Sequence, residues 1–216
     1  MRRPILFLAC LAFLAAARAA PAAGPAHARE ASRAANIEAL EAQEMLTLEP
    51  RATFLVDVRS RYEYMLLGHP PQAYNLPWRF LTGDFQVAGG PFQGGKASHT
   101  GYQMSNEPNP DFVGVAQSLF KSDDRIIVLS SDGDDGADAA DALAKAGFKR
   151  VYNIRQGFLG QPQTAKDLDK LAEKYSPYHG QRGRSNGWVY WGLPVSYSID
   201  PKYVYPPDLK RMQTLK

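Results

Sequence analysis

Apolar residues along this chain gather into a few short, dense runs separated by polar stretches that carry Gly and Pro. Thr53 to Arg59 (TFLVDVR) is a β-branched run between Pro50 and a charged turn, and Arg125 to Leu129 (RIIVL) is apolar almost without a break. Neither run alternates. Short continuous apolar runs suit strands covered on both faces, as in a parallel sheet. The second run is followed by a polar loop, Ser130 to Gly136, and an Ala-rich helix over Ala137 to Ala146. Gly147 is placed to cap that helix in the left-handed conformation, and Phe148 to Ile154 supplies the next strand. Strand, loop, helix and strand over about 30 residues make a βαβ unit. The predicted class is therefore α/β, with a mainly parallel central sheet flanked by helices on both faces. Upstream, Asn36 is placed to cap a helix whose apolar positions Ile37, Leu40, Met45 and Leu48 fit one face loosely.

Three segments fall outside that scheme. Gly83 to Pro110 holds six Gly and three Pro in 28 residues, too many residues for an ordinary connection, so it reads as a lid or a loose insertion. Tyr175 to Tyr205 carries six Tyr and two Trp with no helical or alternating period, and is expected to wrap over the domain and bury its rings. At the other end, Met1-Arg2-Arg3, an apolar stretch from Pro4 to Ala17 and then small residues read as a signal peptide over residues 1–28, cleaved after Ala19 or Ala28. The stretch is short of the roughly 20 apolar residues that a membrane span needs. Residues 20 to 35, rich in Ala, Pro and Gly, read as a mobile leader. The expected location is periplasmic or secreted, with no stable membrane anchor after processing.

Composition sharpens this picture. The chain has 216 residues, 25 Lys and Arg against 22 Asp and Glu, and a formal charge of +3. That excess comes from Arg2, Arg3 and Arg18, so the processed chain is balanced and carries no nucleic-acid footprint despite a pI of 8.9. The single cysteine, Cys10, lies in the same leader. A lipid-modified Cys10 has a poor lead-in in Phe7-Leu8-Ala9. Once the leader is removed, no thiol nucleophile, disulfide or thiolate ligand remains.

A set of short motifs then occurs in order: Leu55-Val56-Asp57-Val58-Arg59, Glu63-Tyr64, Gly68-His69-Pro70, Ala73-Tyr74-Asn75-Leu76-Pro77-Trp78, Ile127-Val128-Leu129, Ala139-Ala140, Leu143, Gly147-Phe148, Val151-Tyr152-Asn153 and Gly157-Phe158. The series resembles the rhodanese family over residues 36–162, with 83–110 as an insertion and 163–216 as an extension packing on the domain. Asn186-Gly187-Trp188 and Gly192-Leu193-Pro194 are similar to the C-terminal extension of some exported single-domain rhodaneses. The resemblance implies a cysteine after the central strand, in a loop whose N–H groups converge at a helix N-terminus. That cysteine would carry a persulfide from a donor such as thiosulfate to a thiophilic acceptor, stabilised by the helix end. The family loop runs Cys, Arg, any, Gly, any, Arg, Ser; here it becomes Ser130, Ser131, Asp132, Gly133, Asp134, Asp135, Gly136. Ser130 takes the sulfur position, and Ser131 and Asp135 replace the arginines.

A serine hydroxyl cannot hold a persulfide, and as a nucleophile it needs a base that the scattered His69, His99 and His179 do not offer from nearby positions. Charge also turns over. Asp132, Asp134, Asp135, Asp138 and Asp141 follow one another with no base until Lys145. If three of them rim the pocket, each carboxylate about 6 Å from a bound anion opposes it by about 3 kcal/mol at an effective dielectric near 20. A helix N-terminus returns only about 0.3–1 kcal/mol. Three roles stay open for these acids: stabilising the helix start, recognising a basic partner, or holding a cation at Asp132, Asp134 and Asp135, with calcium as the guest suited to hard oxygens. Around the loop, Asp57 is expected to anchor a neighbour through backbone N–H groups, Arg59 and Glu63 to form a surface ion pair, and His69 to be a structural hydrogen-bonder beside the loop. The combined expectation is an exported, catalytically inactive binding or accessory module with a protein partner and no cofactor. Its rival is a sulfurtransferase-type enzyme working through a non-cysteine group.

Overall fold

The structure, a computed structural model, describes residues 29–88, 98–162 and 184–204. The expected signal segment, Cys10, the middle of the insertion and residues 163–183 and 205–216 of the extension lie outside them. In chain order the elements are β1 (Ala35–Ile37), α1 (Ala39–Leu48), β2 (Thr53–Asp57), α2 (Arg61–Leu66), β3 (Tyr74–Asn75), β4 (Leu81–Ala88) and β5 (Ser98–Met104). There follow α3 (Phe112–Leu119), β6 (Arg125–Leu129), α4 (Asp134–Lys145), β7 (Arg150–Ile154), β8 (Gln161–Pro162), β9 (Arg184–Ser185) and a 3-10 turn at Pro201–Tyr203.

Five strands form one sheet in the order β1-β7-β6-β2-β3, and every pairing in it is parallel. The continuous apolar runs explain why. Along β6, Ile126 and Val128 point into one cluster with Phe112, Val115, Ala137 and Leu143, whereas Ile127 and Leu129 point into the other with Ala39, Ala42, Tyr64 and Trp188. Helices α3 and α4 therefore cover one face, α1 and α2 the other, and a one-residue slip of β6 would exchange its two apolar sets. The described residues contain no helix long and apolar enough to cross a membrane.

Four expectations change. Asn36 caps no helix: it lies in β1, and its side chain holds the backbone of Ala31 through bonds of 2.9 Å in each direction. Helix α1 instead buries Ala39 and Ala42, so it approaches the sheet closely and leaves Leu40 and Leu48 41% and 71% exposed. The Gly-rich insertion includes an antiparallel hairpin, β4 with β5, so where it is described it is not a loose coil. Helix α4 begins at Asp134, three residues earlier than the Ala-rich pattern suggested, with Gly147 at a φ of 101° beyond its end as expected.

The fourth change concerns residues 29–34, which dock on α4. Asp141 accepts the amides of Ser32, Arg33 and Ala34 at 2.8, 2.6 and 3.1 Å and the Ser32 hydroxyl at 2.6 Å. Arg29 reaches Asp138, and its amide donates to Asp134 at 2.8 Å. Three of the five acids between Arg125 and Lys145, including Asp134 of the three expected at the pocket, thus fasten the chain's entry into β1.

The extension closes the other side. The amides of Trp188 and Val189 donate to the carbonyls of Gly157 and Phe158, His69 and Ser196 exchange backbone bonds of 2.9 and 2.7 Å, and Val204 bridges to Asn75. Trp188 is 1% exposed and its Nε1 donates to the Pro194 carbonyl at 2.9 Å.

Burial would raise the Asp141 pKa, but the hydrogen bonds from Ser32, Arg33 and Ala34 outweigh it and hold the carboxyl down to about 2 against an ordinary 3.8. A lowered carboxyl pKa stabilises the fold above pH 3.8, and that share is lost as pH falls through about 2. We expect Asp141→Ala to cost about 1–3 kcal/mol at neutral pH and to accelerate amide exchange over residues 32–37. Exchange there equal to that of the unaltered protein would contradict the docking described.

Candidate functional site

The strand-end motif Asp57-Val58-Arg59 folds into a buried ion pair. Arg59 Nε donates to Asp57 Oδ1 at 2.9 Å and to Oδ2 at 3.1 Å, Nη2 donates to Oδ2 at 2.5 Å, and neither side chain is exposed to solvent. The same Nη2 donates to the Gly68 carbonyl at 2.9 Å, and the guanidinium lies 3.8 Å above the Phe158 ring. Asn75 donates to the carbonyls of both Asp57 and Arg59. Two expectations are corrected here. Arg59 pairs with Asp57, not with Glu63, and Asp57 takes that guanidinium together with the Arg59 amide at 3.1 Å instead of fastening a separate loop.

Glu63 has different work. Ser60 caps α2, accepting the Glu63 amide, while the Glu63 carboxylate takes the Ser60 amide at 3.0 Å and hydroxyl at 2.7 Å. Its other oxygen accepts the Ser131 hydroxyl, so α2 is tied to the loop after β6. The Ser-x-x-Glu signature of a capping box was readable in the sequence, although the reach to Ser131 was not.

The loop itself is held from behind. Ser130 is 2% exposed, and its Oγ accepts the Gly133 amide at 2.9 Å. The Ser130 and Ser131 carbonyls accept the amides of Phe158 and Leu159 at 2.8 Å each, and Gln161 donates to the Asp132 carbonyl. Gly157, at a φ of 61°, lies so close that a Cβ there would stand 2.5 Å from the Ser130 carbonyl oxygen. Only glycine fits both that backbone and that gap.

Ser130, Ser131, Asp132 and Asp135 come together with Val58, Arg59, Glu63 and Met104 around a cavity of about 200 Å³. Gly133 stands at the N-cap of α4, Gly136 is buried in its first turn, and Asp134 faces away to the Arg29 amide. Asp135 is the main surprise. Arg79 Nε donates to it at 2.9 Å, while Arg79 Nη1 donates to the carbonyls of Ser105, at 3.1 Å, and Asn106. Burial raises the Asp135 pKa, and the bond and charge of Arg79 oppose that rise without cancelling it. A guanidinium is therefore present beside the loop, supplied from a segment over 50 residues upstream, which no local pattern announced. It is matched by a carboxylate, so the expected rim of three aspartates becomes Asp132 and Glu63 with a neutralised Asp135. Among the described residues no group of three or more His, Cys, Asp or Glu is arranged to hold a metal ion.

His69 belongs to the extension side of the fold. Its ring lies 3.7 Å from that of Tyr64, and neither ring nitrogen has a hydrogen-bond partner among the described residues, so the expectation of a hydrogen-bonding side chain is corrected. Burial lowers its pKa to about 4, with Asp57 raising and Arg59 lowering it, and the ring is neutral at neutral pH. The side chains of His99 and His179 lie outside what the structure describes.

The rhodanese-like domain model matches residues 38–160. Among curated proteins, the chain is 28% identical over 113 residues to the senescence-associated protein DIN1 of Raphanus sativus, covering 52% of this chain and 49% of that protein. It is also 28% identical over 130 residues to the mitochondrial protein HIGH ARSENIC CONTENT 1 of Arabidopsis thaliana, covering 56% and 63% respectively. The chain thus spans about half of one of these relatives and less than two thirds of the other. The crystal structure of Rv0390 from M. tuberculosis superposes with a TM-score of 0.50 at 22% identity, covering 76% of this chain and 98% of that one, which bears on the fold alone.

Breaking a fully buried pair leaves one charge unmatched, at a cost of about 3–5 kcal/mol. We expect Arg59→Met to lower unfolding stability by that amount and the double variant with Asp57→Leu to recover most of it, read by denaturant unfolding. A double variant as unstable as the single one would show that the pair acts through something other than charge compensation.

Proposed function

The chain belongs to the rhodanese-like domain family, and from that membership we propose that it is an exported member that has given up persulfide transfer and acts as a binding or accessory module for a protein partner. The observation that carries this reading is Ser130. We place it at the family's cysteine position by the order of the sequence motifs; its hydroxyl is engaged with the Gly133 amide, and the one cysteine of the whole chain is Cys10. A hydroxyl offers no sulfur to be persulfidated, and the cavity it faces would repel the anionic donor that the family uses. Glu63 and Asp132 line that cavity, and Arg59 and Arg79 bring positive charge already matched by Asp57 and Asp135. Each unmatched carboxylate about 6 Å from the donor opposes it by about 3 kcal/mol at an effective dielectric near 20, against about 0.3–1 kcal/mol from the end of α4.

The leader composition supports export, and the processed chain then works in a compartment where its lack of thiols leaves no cysteine to oxidise. A second reading, sulfur chemistry through a non-cysteine group, has one observation in its favour, the Ser131 hydroxyl held on the Glu63 carboxylate. Glu63 is already committed to capping α2 and to the Ser60 hydroxyl, which leaves it poorly placed to move a proton. Purified mature protein is expected to form no thiocyanate from thiosulfate and cyanide above a heat-denatured control. Turnover that disappears in Ser130→Ala or Ser131→Ala would overturn the proposal.

A further inference from the structure

At the far end of β2 from Ser130, about 13 Å along the strand by its rise per residue, a second cavity of about 430 Å³ opens between α1, the start of β2 and the extension. Its size falls within the range of small-molecule sites, about 300–1,000 Å³. Three features separate it from a packing defect. Its lining contains no Asp, Glu, Lys, Arg or His. Rings make up much of its wall, with Phe54 and Tyr74 from the sheet, Trp188, Pro194 and Tyr203 from the extension and Pro70 and Pro71 beside them, and the uncharged polar side chains of Gln43, Thr47 and Gln72 also line it. At the first residue of β2 stands Thr53, 4% exposed, whose Oγ1 is buried with no hydrogen-bond partner among the described residues. Buried hydroxyls are normally satisfied, so one left open on a cavity is available to an occupant.

The backbone at the rim adds to this. Gln72 follows Pro70-Pro71 at a φ of 62°, a left-handed conformation that a residue with a side chain adopts rarely and that clusters at ligand-holding loops. Trp188, Pro194 and Tyr203 lie beyond the family match at residues 38–160, so the extension closes one side of a cavity whose other walls belong to the matched domain.

We propose that this cavity binds an uncharged aromatic molecule of one or two rings carrying a hydroxyl or N–H group, its rings between the aromatic and proline walls and its polar group bonded to Thr53. Flat apolar walls favour ring faces and edges. The absence of any counter-charge in the lining disfavours a charged ligand, which would lose its hydration with nothing in return. The site is separate from Ser130 and does not depend on whether sulfur transfer has been lost.

The test uses the full chain and two probes of one shape, 2-naphthol and 2-naphthoate, followed by calorimetry. Saturable 2-naphthol binding is expected, with 2-naphthoate at least about tenfold weaker. Thr53→Val, which keeps shape and removes the hydroxyl, should weaken 2-naphthol binding by about tenfold, and Leu46→Trp, which fills the cavity, should abolish it. No saturable 2-naphthol binding at millimolar concentration would overturn the proposal. So would equal binding of the two probes, or binding that survives Thr53→Val and Leu46→Trp unchanged.

Discussion

The loop after β6 is held in place by a pair of opposite charges that water does not reach. Asp57 and Arg59 sit at the end of β2, side by side with the end of β6, and the Arg59 guanidinium also touches the Gly68 carbonyl and the Phe158 ring. Phe158 in turn donates its amide to the Ser130 carbonyl. Three separate stretches of chain, the end of β2, the Gly68 turn and the segment after β7, therefore converge on one guanidinium and its carboxylate, while Asn75 at the end of β3 braces their backbone carbonyls. Each charge would be intolerable there alone, and together they fix the geometry from which Ser130 faces its cavity.

Acidic residues do their work around that frame in an unexpected division. Asp134, Asp138 and Asp141 turn to residues 29–34 and fasten them to α4, Asp135 takes Arg79, and Asp132 stays with Glu63 at the cavity. Positive charge is thus not absent from the neighbourhood of the loop, but it is cancelled where it stands. The result is a cavity lined by Ser130, Asp132 and Glu63, beside which the charges of Arg59 and Arg79 are already paired with Asp57 and Asp135.

The α/β class, β6 and the Gly147 cap could be read from the sequence because each rests on local chemistry: an unbroken apolar run or a glycine after an Ala-rich helix. The loop between β6 and α4 was legible as well, since a polar stretch separates the apolar run from the Ala-rich helix. What could not be read were the long-range pairings. Arg79 with Asp135 and Asp141 with residues 32–34 join positions far apart in sequence, and neither residue carries a local mark of its partner. Arg59 with Glu63 looked like a helical pair by spacing alone, but the nearer Asp57 offered a bidentate carboxylate inside the fold. Helix α1 was misjudged in its buried face because the sequence offers leucines at Leu40 and Leu48, while close packing against the sheet selected the small Ala39 and Ala42.

We propose that two changes, the missing thiol and the acidic lining of the cavity, each independently deny this fold its sulfur chemistry. Intact-mass measurement of Ser130→Cys after incubation with thiosulfate separates them, because the substitution restores the thiol and leaves Glu63 and Asp132 in place. The account predicts a protein that gains no sulfur atom at concentrations where an active family member is fully persulfidated. A stoichiometric gain of one sulfur by that single variant would contradict it, and would leave the loss of the cysteine as the whole of the change.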